Sequence, residues 1–276
     1  MMLKDKVIII TGAAGGIGSA AAHLLAQQGA ILVLADIRKK QLEELRIRLK
    51  ESGVNTMTVV HDVTDPESWQ SLMDRVKHAY GKIDVLVNNA GVVHPGATEK
   101  VALEKIHQQV SVNLLGTIHG CRAALSVMKE QNFGKIVNVA SLGGVVPMPG
   151  EAVYCATKYA IRGYTLSLYG ELHDSPVGIC AVCPDSVDTP QLEYESQFDE
   201  AVLSFIGSAL DPRKVAKGIL KAIEKKKPEI LVPGGMGAIY RLVMGIPWIF
   251  FFLFPILKKI GLKEIKKRRG EKKKRK

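Results

Sequence analysis

The chain has 276 residues, 47% of them hydrophobic and 24% charged, which is enough for one large domain or two small ones. This composition excludes intrinsic disorder for most of the chain, and it excludes collagen-like and disulfide-scaffold proteins. The formal net charge is +11, but residues 258–276 alone carry 12 Lys and Arg against 2 Glu. The rest of the chain is therefore nearly neutral, and its composition does not indicate a nucleic-acid-binding fold.

Apolar runs of strand length alternate along the chain with segments of helical periodicity. The predicted strands are Val7–Thr11, Ile31–Ala35, Thr56–Val60, Ile83–Val87, Ile136–Ala140, Gly178–Cys183 and Ile230–Val232. The predicted helices are Ile17–Gln28, Lys39–Glu51, one starting at Asp65-Pro66, two within Ala102–Asn132, then Ala152–His173 and Pro212–Lys225. Strands that are apolar throughout are buried on both faces. We therefore predict an α/β fold: a single doubly wound Rossmann-type domain over residues 1–235, with a seven-stranded parallel sheet and helices on both faces.

The four cysteines do not form a disulfide framework. Cys180 and Cys183 have the C-x-x-C spacing of redox and zinc sites, but they lie within a predicted buried strand and no second pair exists. We interpret them as small core residues. The seven histidines show no metal-ligand spacing, so no metal site is predicted. The N-terminus leads directly into a strand without a signal-peptide pattern, which favours a reducing, cytoplasmic location.

A glycine-rich turn joins the first strand to the first helix. Its sequence, Thr11-Gly12-Ala13-Ala14-Gly15-Gly16-Ile17-Gly18, allows backbone to approach a pyrophosphate at a helix N-terminus. Asp36 closes the second strand, where a carboxylate accepts hydrogen bonds from ribose hydroxyls and repels a 2′-phosphate. Arg38 could reach such a phosphate, but it opens a charged helix and we expect it to be solvated. The turn therefore predicts a dinucleotide site that prefers NAD over NADP.

Four polar residues indicate proton transfer at the other end of the crevice. Tyr154 and Lys158 are spaced i, i+4 on one predicted helix, so they share a face. A neighbouring ammonium favours the phenolate, and we expect Lys158 to lower the pKa of Tyr154 so that it exchanges a proton with an alcohol or carbonyl. Ser141 follows the fifth strand and would hold the reacting oxygen. Asn113 falls at an expected break between the two central helices.

Taken together, these motifs and their order resemble the short-chain dehydrogenase/reductase family over about residues 3–233. The resemblance implies an NAD(P)(H)-dependent oxidoreductase whose catalytic residues are Asn113, Ser141, Tyr154 and Lys158, with Ser141 and Tyr154 contacting substrate. In that family the Lys also hydrogen-bonds the nicotinamide ribose, and the Asn holds a water in a proton relay. The implied cofactor-binding residues are Gly12, Gly16, Ile17, Gly18, Asp36, Asp62, Val63, Asn89, Ala90, Gly91, Tyr154, Lys158, Val187 and Thr189.

The resemblance also gives some of these residues individual places. Asp62 and Val63 would flank the adenine, and Asn89 would lie beside the adenosine ribose. Val187 and Thr189 match the segment that contacts the nicotinamide carboxamide. One departure is Pro184-Asp185, where the family usually has Pro-Gly, because Asp185 would place a side chain near the nicotinamide.

Two segments beyond the shared motifs are expected to determine the substrate and the location. Residues 190–210 occupy the place of the family's variable substrate-covering segment and have the pattern of an amphipathic lid or of an ordinary surface helix. In the C-terminal segment, 236–276, Leu242–Leu257 has 16 uncharged residues, too few to span a bilayer, and Pro247 and Pro255 should interrupt any helix there.

The C-terminal segment favours contact with a membrane. An apolar aromatic run followed by basic residues provides the two signals of peripheral anchoring through 242–276. The alternative is a subunit contact followed by a disordered tail. Lys273 and Lys274 also stand at the positions of a dilysine retrieval signal, and a third interpretation of the tail is sequence-independent nucleic-acid binding.

The expected function is hydride transfer between a nicotinamide cofactor and a lipophilic secondary alcohol or ketone, such as a steroid, retinoid-like or acyl compound. The expected protein is a short-chain alcohol dehydrogenase or carbonyl reductase, a homodimer or homotetramer, peripheral to a membrane on its cytoplasmic face, with no specific nucleic-acid partner. The alternative is a non-catalytic NAD-binding scaffold or sensor at a membrane surface.

Overall fold

A computed structural model describes residues 3–54 and 56–275, with side chains up to residue 271. Its centre is one parallel sheet in the order β3-β2-β1-β4-β5-β6-β7. The strands are β1 Val7–Thr11, β2 Ile31–Asp36, β3 Thr56–Val60, β4 Val85–Asn88, β5 Gly134–Val139, β6 Val177–Pro184 and β7 Glu229–Val232. The predicted seven-stranded, doubly wound Rossmann-type fold is confirmed, with strand ends shifted by one or two residues.

Ten helices are found in the described part of the chain. They are α1 Gly16–Gln27, α2 Lys39–Glu51, α3 Pro66–Tyr80, α4 Leu103–Gln109, α5 Gly116–Glu130, α6 Ala152–Glu171, α7 Pro190–Glu195, α8 Pro212–Glu224, α9 Gly234–Met244 and α10 Pro247–Arg275. α1, α2 and α8 cover one face of the sheet, and α3, α5 and α6 cover the other. α3 begins where the sequence predicts, because the Asp65 carboxylate caps it by accepting the Glu67 N–H at 2.9 Å and Pro66 takes its first position.

The core is divided by the pleat of the strands. In β1, Ile8 and Ile10 point into the cluster under α1 and α8, whereas Ile9 points into the cluster under α3 and α5. All three are fully buried, and each contributes about 1.5–3 kcal/mol to stability by leaving water. Cys180 and Cys183 are also fully buried in β6, as the core interpretation requires.

The region around Asn113 differs from the prediction. The sequence predicts a break between two helices, but α4 continues into α5 through a π-helical stretch, Val110–Leu115. A π turn holds one residue more than an α turn, so the chain can re-aim a side chain without interrupting the helix. The Asn113 carbonyl accepts a hydrogen bond from the Thr117 hydroxyl at 2.7 Å.

The C-terminal segment forms two helices with a sharp bend between them. Among the described residues no single helix is long and apolar enough to cross a bilayer. Only α9 and α10 taken together, bent by 117°, reach the necessary length and composition. Pro247 takes the first position of α10, as helix N-termini allow, but α10 runs through Pro255, so the predicted interruption there is wrong. Lys273 and Lys274 lie outside the residues whose side chains are described.

Residues 190–210 fold as two short helical pieces rather than one amphipathic helix. α7 is followed by a 3-10 turn at Val202–Phe205. Leu192, Val202 and Phe205 are buried in a small apolar cluster that is separate from the two clusters of the sheet. This segment packs beside the carboxyl ends of the strands and is called the lid below.

Candidate active site

The site lies where β1 and β4 send their chains to opposite faces of the sheet. In such a sheet the crevice at this switch point receives the ligand. Asn89, directly after β4, donates from its side chain to the carbonyls of Thr11 and Gly12 at 2.9 and 3.1 Å. The Thr11 hydroxyl accepts the backbone N–H groups of Asn89 and Ala90 at 3.0 and 3.2 Å. These bonds tie the predicted glycine turn to the loop after β4.

The glycine turn has the compact form that a pyrophosphate-binding turn needs. Gly12 has a φ of +60°, which other residues rarely adopt. A Cβ at Gly16 would lie 2.5 Å from the methyl group of Thr189, and a Cβ at Gly18 would collide with the Gly12 carbonyl. Ile17 sits between them in the first turn of α1. The backbone here leaves space only for glycine, and the N-terminus of α1 points into the crevice, so the residues fit a dinucleotide phosphate group.

The carboxylate at the end of β2 is buried and fully occupied by hydrogen bonds. Asp36 accepts the Ala14 N–H at 3.0 Å and two guanidinium N–H groups of Arg38 at 3.0 Å. The hydrogen bonds to Asp36 raise the pKa of Arg38. Arg38 is half-exposed, as predicted, but it is ion-paired rather than simply solvated. Sequence reasoning missed this pair because two residues so close in sequence face each other only when β2 ends between them.

The loop after β3 carries the next predicted residues. The Asp62 carboxylate accepts the N–H and the hydroxyl of Thr64 at 2.9 and 2.8 Å, which fixes the loop. Val63 is buried against Gly116, where a Cβ would lie 2.8 Å from its methyl group. Asp62 and Val63 therefore form one wall of the crevice at the end where Asp36 lies, far from Tyr154.

Asn113 and Lys158 are both buried and both held by main-chain groups. Asn113 accepts the Val92 N–H at 2.8 Å and donates to the Val92 carbonyl at 2.9 Å and to the Thr157 hydroxyl at 3.1 Å. The Lys158 ammonium donates to the Val139 carbonyl at 3.0 Å, and burial lowers its pKa to about 8. Thr157 was not predicted, although it stands directly before Lys158.

Gly91 opens this corner of the site to the crevice. A Cβ there would lie 3.4 Å from Asn113 Oδ1 and 3.5 Å from Lys158 Nζ. Gly91 is itself exposed, so the absence of a side chain leaves both buried polar groups within reach of a molecule in the crevice. The structure thus brings these two predicted residues together.

Tyr154 lies on the same face of α6 as Lys158, with the ammonium 5.6 Å from the ring centroid. Its hydroxyl is hydrogen-bonded to the Ser141 side chain. The expected lowering of its pKa is wrong for the chain by itself: burial, followed by the nearby Glu195 carboxylate, raises the pKa of Tyr154. The ammonium fails to offset this because it points at Val139 and not at the phenol oxygen.

The loop after β6 completes the crevice. Thr189 caps α7 and lies over Gly16, so this loop meets the glycine turn. Val187 is buried and pairs with Leu210 as an isolated bridge. The Asp185 carboxylate accepts the N–H of Ser186 at 2.8 Å. It therefore folds back on its own loop, and burial raises its pKa.

Two buried glutamates near Tyr154 were not predicted. Glu151 stands directly before α6 and Glu195 ends α7, and the Ser204 hydroxyl bonds to both, at 3.3 Å for Glu151. Burial raises the pKa of each carboxyl group, and each carboxylate further disfavours ionisation of the other and of Tyr154. Glu195 lies three residues after Leu192, on the apolar side of the lid, which is the one sequence signal of its burial.

Comparison with known proteins agrees with this geometry. A family model described as short chain dehydrogenase matches residues 6–200. A solved short-chain dehydrogenase/reductase from Burkholderia phymatum in complex with NAD is 30% identical, with a TM-score of 0.81 over 89% of this chain and 95% of its own. A variant of actinorhodin polyketide ketoreductase with NADPH is 31% identical, with a TM-score of 0.77 over 84% and 97%. The 3-ketodihydrosphingosine reductase of Bacteroides thetaiotaomicron is 31% identical over 82% of this chain and 86% of its own.

Proposed function

Because the chain belongs to the short-chain dehydrogenase/reductase family, and so to the NAD(P)-dependent oxidoreductases, we propose that it interconverts a lipophilic secondary alcohol and the corresponding ketone. It would then be a short-chain alcohol dehydrogenase or carbonyl reductase. The observation that carries this proposal is the assembly of Asn113, Ser141, Tyr154 and Lys158 at one end of the crevice that begins at the glycine turn. These four residues are proposed as the catalytic group, with Ser141 and Tyr154 contacting substrate.

The cofactor would lie along the carboxyl ends of the strands. The residues proposed to hold it are Gly12, Gly16, Ile17, Gly18, Asp36, Asp62, Val63, Asn89, Ala90, Gly91, Tyr154, Lys158, Val187 and Thr189. A bound nicotinamide ring supplies the site for hydride gain or loss, together with positive charge in its oxidised form. The protein supplies orientation and proton transfer.

The proton moves at the Tyr154 hydroxyl. During reduction this group gives its proton to the carbonyl oxygen, and during oxidation it takes the proton from the alcohol. The Ser141 hydroxyl holds the same substrate oxygen and stabilises the charge that develops on it. The raised pKa keeps Tyr154 neutral when the chain is alone, which is the form that donates a proton. The Lys158 ammonium, which donates to the Val139 carbonyl in this structure, would favour the phenolate if it turned toward the phenol oxygen once the proton has left.

We propose that NAD is the preferred cofactor. The buried Asp36 carboxylate would accept ribose hydroxyls and repel a 2′-phosphate, and the two alanines of the glycine turn add no positive charge. Arg38 works against this preference, because its guanidinium stands at the same place and already neutralises part of the Asp36 charge. The related solved structures hold NAD in one case and NADPH in the other.

The lipophilic substrate class is supported by two features. The exposed apolar face of α9 and α10 would place the enzyme at a lipid surface, where lipophilic substrates are concentrated, whereas the apolar lid residues Leu192, Val202 and Phe205 pack on Ile265 of α10. One relative is named as a reductase of 3-ketodihydrosphingosine. Steroids, retinoid-like compounds and acyl compounds with a keto or hydroxyl group are the candidate substrates.

The C-terminal helices are proposed to hold the enzyme at the cytoplasmic face of a membrane. α9 and the first half of α10 expose an apolar face that consists of Met236, Ile239, Leu242, Ile246, Trp248, Phe251, Phe252, Leu253, Ile256 and Ile260. Monomeric proteins rarely leave so large an apolar surface in water. Lysines 258, 259 and 263 follow directly, and basic residues next to an apolar face favour an anionic lipid surface. On this proposal residues 1–235 are the catalytic unit and 236–276 carry the anchor, whose membrane-facing part is α9 and the first half of α10.

The test is an assay of NADH or NADPH formation and consumption by fluorescence. The panel contains hydrophobic secondary alcohols and ketones of the three classes and small polar ones of matched reactivity, each with both cofactors. We expect turnover of hydrophobic members with NAD(H). Faster turnover of the small polar members would refute the substrate class.

The same assay separates the enzyme from a non-catalytic NAD-binding scaffold at a membrane. A scaffold binds NADH, seen as a change in its fluorescence, without consuming it with any carbonyl of the panel. A homodimer or homotetramer is proposed from family analogy and is tested by light scattering.

A further inference from the structure

The second half of α10 does not extend away from the domain as a free basic tail. It returns to the catalytic end and packs on the lid. Gly261 lies directly against the carbonyl of Val202, where no other residue would fit. Ile265, one turn later, is fully buried in the same apolar cluster as Leu192 and Phe205. The helix is therefore seated on the lid by shape and by an apolar anchor.

Arg268 extends this contact to α7 of the lid and to the loop after β6. Arg268 donates from Nη2 to the Asp188 carboxylate at 2.7 Å and from Nε to the Glu193 carboxylate at 3.1 Å. Asp188 belongs to the loop after β6, and Glu193 belongs to α7. A single guanidinium thus joins the two segments from a position 75 to 80 residues further along the chain.

Arg269 adds a second link, to the C-terminal end of α7. Its Nε donates to the Ser196 carbonyl at 2.6 Å, and Nη1 lies 2.8 Å from the Asp199 carboxylate. The neighbouring Lys266 and Lys267 are exposed, so the contacts depend on which basic residues face the lid and not on the charge of the tail as a whole. The planar fork of an arginine bonds two acceptors in fixed directions, which a lysine cannot do.

The position of Asp188 gives the contact a functional meaning. It stands between Val187 and Thr189, the two residues that the proposed cofactor site places at the nicotinamide. We propose that Arg268 is a positioning residue: acting through Asp188 and Glu193, it holds the lid closed over the substrate and fixes the nicotinamide loop. The expected effect of Arg268 on catalysis rests on the proposed function, whereas its expected effect on the order of the lid does not.

The experiment compares Arg268→Gln and Arg268→Lys with Lys266→Gln, which removes one exposed charge from the same helix. Hydrogen exchange is measured on the full chain with saturating NADH. We expect amides 191–206 to exchange about five-fold faster in Arg268→Gln, less so in Arg268→Lys, and at the original rate in Lys266→Gln, as loss of a partly exposed ion-pair network predicts. Amides of β1, β4 and β5 should keep their rates.

Steady-state kinetics provide the second measurement. A lid that opens more often raises KM for the substrate several-fold while kcat changes less, because the catalytic group itself is intact. Unchanged exchange in residues 191–206 of Arg268→Gln would overturn the proposal. So would faster exchange throughout the sheet together with a lower unfolding midpoint, since that pattern shows only a general structural role. If no compound in the panel is turned over, the exchange data still decide the matter.

Discussion

The parallel sheet and the C-terminal helices place similar side chains in opposite environments. In β1 and β2 the isoleucines, valines and leucines are almost all fully buried. On α9 and α10, Leu242 is 80% exposed, Phe252 76% and Trp248 69%. Burial in the sheet stabilises the fold, whereas exposed aromatic residues stabilise nothing until a second surface covers them. The comparison separates what the chain needs in order to fold from what it holds available for a partner.

The largest effect is expected in the sheet domain, at the proposed catalytic tyrosine. Tyr154→Phe removes the proton donor and leaves the ring in place, so kcat should fall by about a thousand-fold while NADH binding is kept. Tyr159→Phe, on the same helix but partly exposed, is the matched control and should retain full activity. Comparable losses in both variants would show that the assay reports folding and not proton transfer.

The second largest effect is expected at the exposed apolar face of α10, in binding to a membrane. Trp248→Ser with Phe252→Ser removes two of the most exposed aromatic side chains, and we expect binding to anionic vesicles, measured by flotation, to fall by about 100-fold. Activity on a water-soluble substrate should not change. Leu103→Ser removes an equally exposed apolar side chain from α4 and should leave vesicle binding intact. If the double variant binds vesicles normally but dissociates an oligomer, the apolar face is a subunit contact.

A smaller effect is expected on the choice between NAD and NADP, at Asp36 and Arg38. Asp36→Ala removes the carboxylate that would accept the ribose hydroxyls and frees Arg38 for a phosphate. The ratio of kcat/KM for NAD to that for NADP should therefore fall by about ten-fold. Arg38→Gln should move the ratio in the opposite direction. A ratio unchanged in both variants would mean that the cofactor lies away from Asp36.

The smallest effect is expected on the pH dependence of stability, at Glu195 in the lid, where the sheet domain meets α10. Burial raises the pKa of Glu195 from 4.5 to about 7, and the neighbouring Glu151 carboxyl group is buried as well. The folded chain holds this proton more tightly than the unfolded chain. Its contribution to stability is therefore complete below pH 4.5 and is lost as the pH rises through 7.

We expect the unfolding midpoint of the unmodified chain to fall by a few degrees between pH 4.5 and 7.5, and the decrease to be smaller in Glu195→Gln. Glu99→Gln, at an exposed position, should follow the unmodified chain. Parallel curves for all three proteins would contradict the buried carboxyl pair.

The strands and most helix ends could be predicted because their causes are local. An uninterrupted apolar run such as Val7–Ile10 can be satisfied only by burial on both faces, and Asp65-Pro66 signals a helix start without help from the rest of the chain. Asn113 was placed correctly in sequence, but the form of the turn around it was not. The side chain of Asn113 bonds to Val92 and Thr157, which are 21 and 44 residues away, so no local pattern signals the form of the turn.

The contacts that could not be predicted join residues far apart in the chain or depend on the end of a strand. The bonds from Arg268 to Asp188 and Glu193 exist because α10 folds back on the lid, and nothing near position 268 distinguishes that arginine from its basic neighbours. The paired Glu151 and Glu195 are similar, since ordinary glutamates are exposed. Helix α10 continues through Pro255 although proline removes a main-chain hydrogen bond, and no local pattern in the sequence signals this.

The π-helical stretch at Val110–Leu115 has a consequence for how this helix can change. Each residue of an α-helix advances the side chain by about 100°, so deleting one residue here would restore regular winding and rotate Asn113 away from Val92 and Thr157. The length of this one turn is thus as strictly determined as the identity of the asparagine. A single-residue deletion here would therefore disrupt this corner of the crevice while leaving every residue of the catalytic group in the sequence.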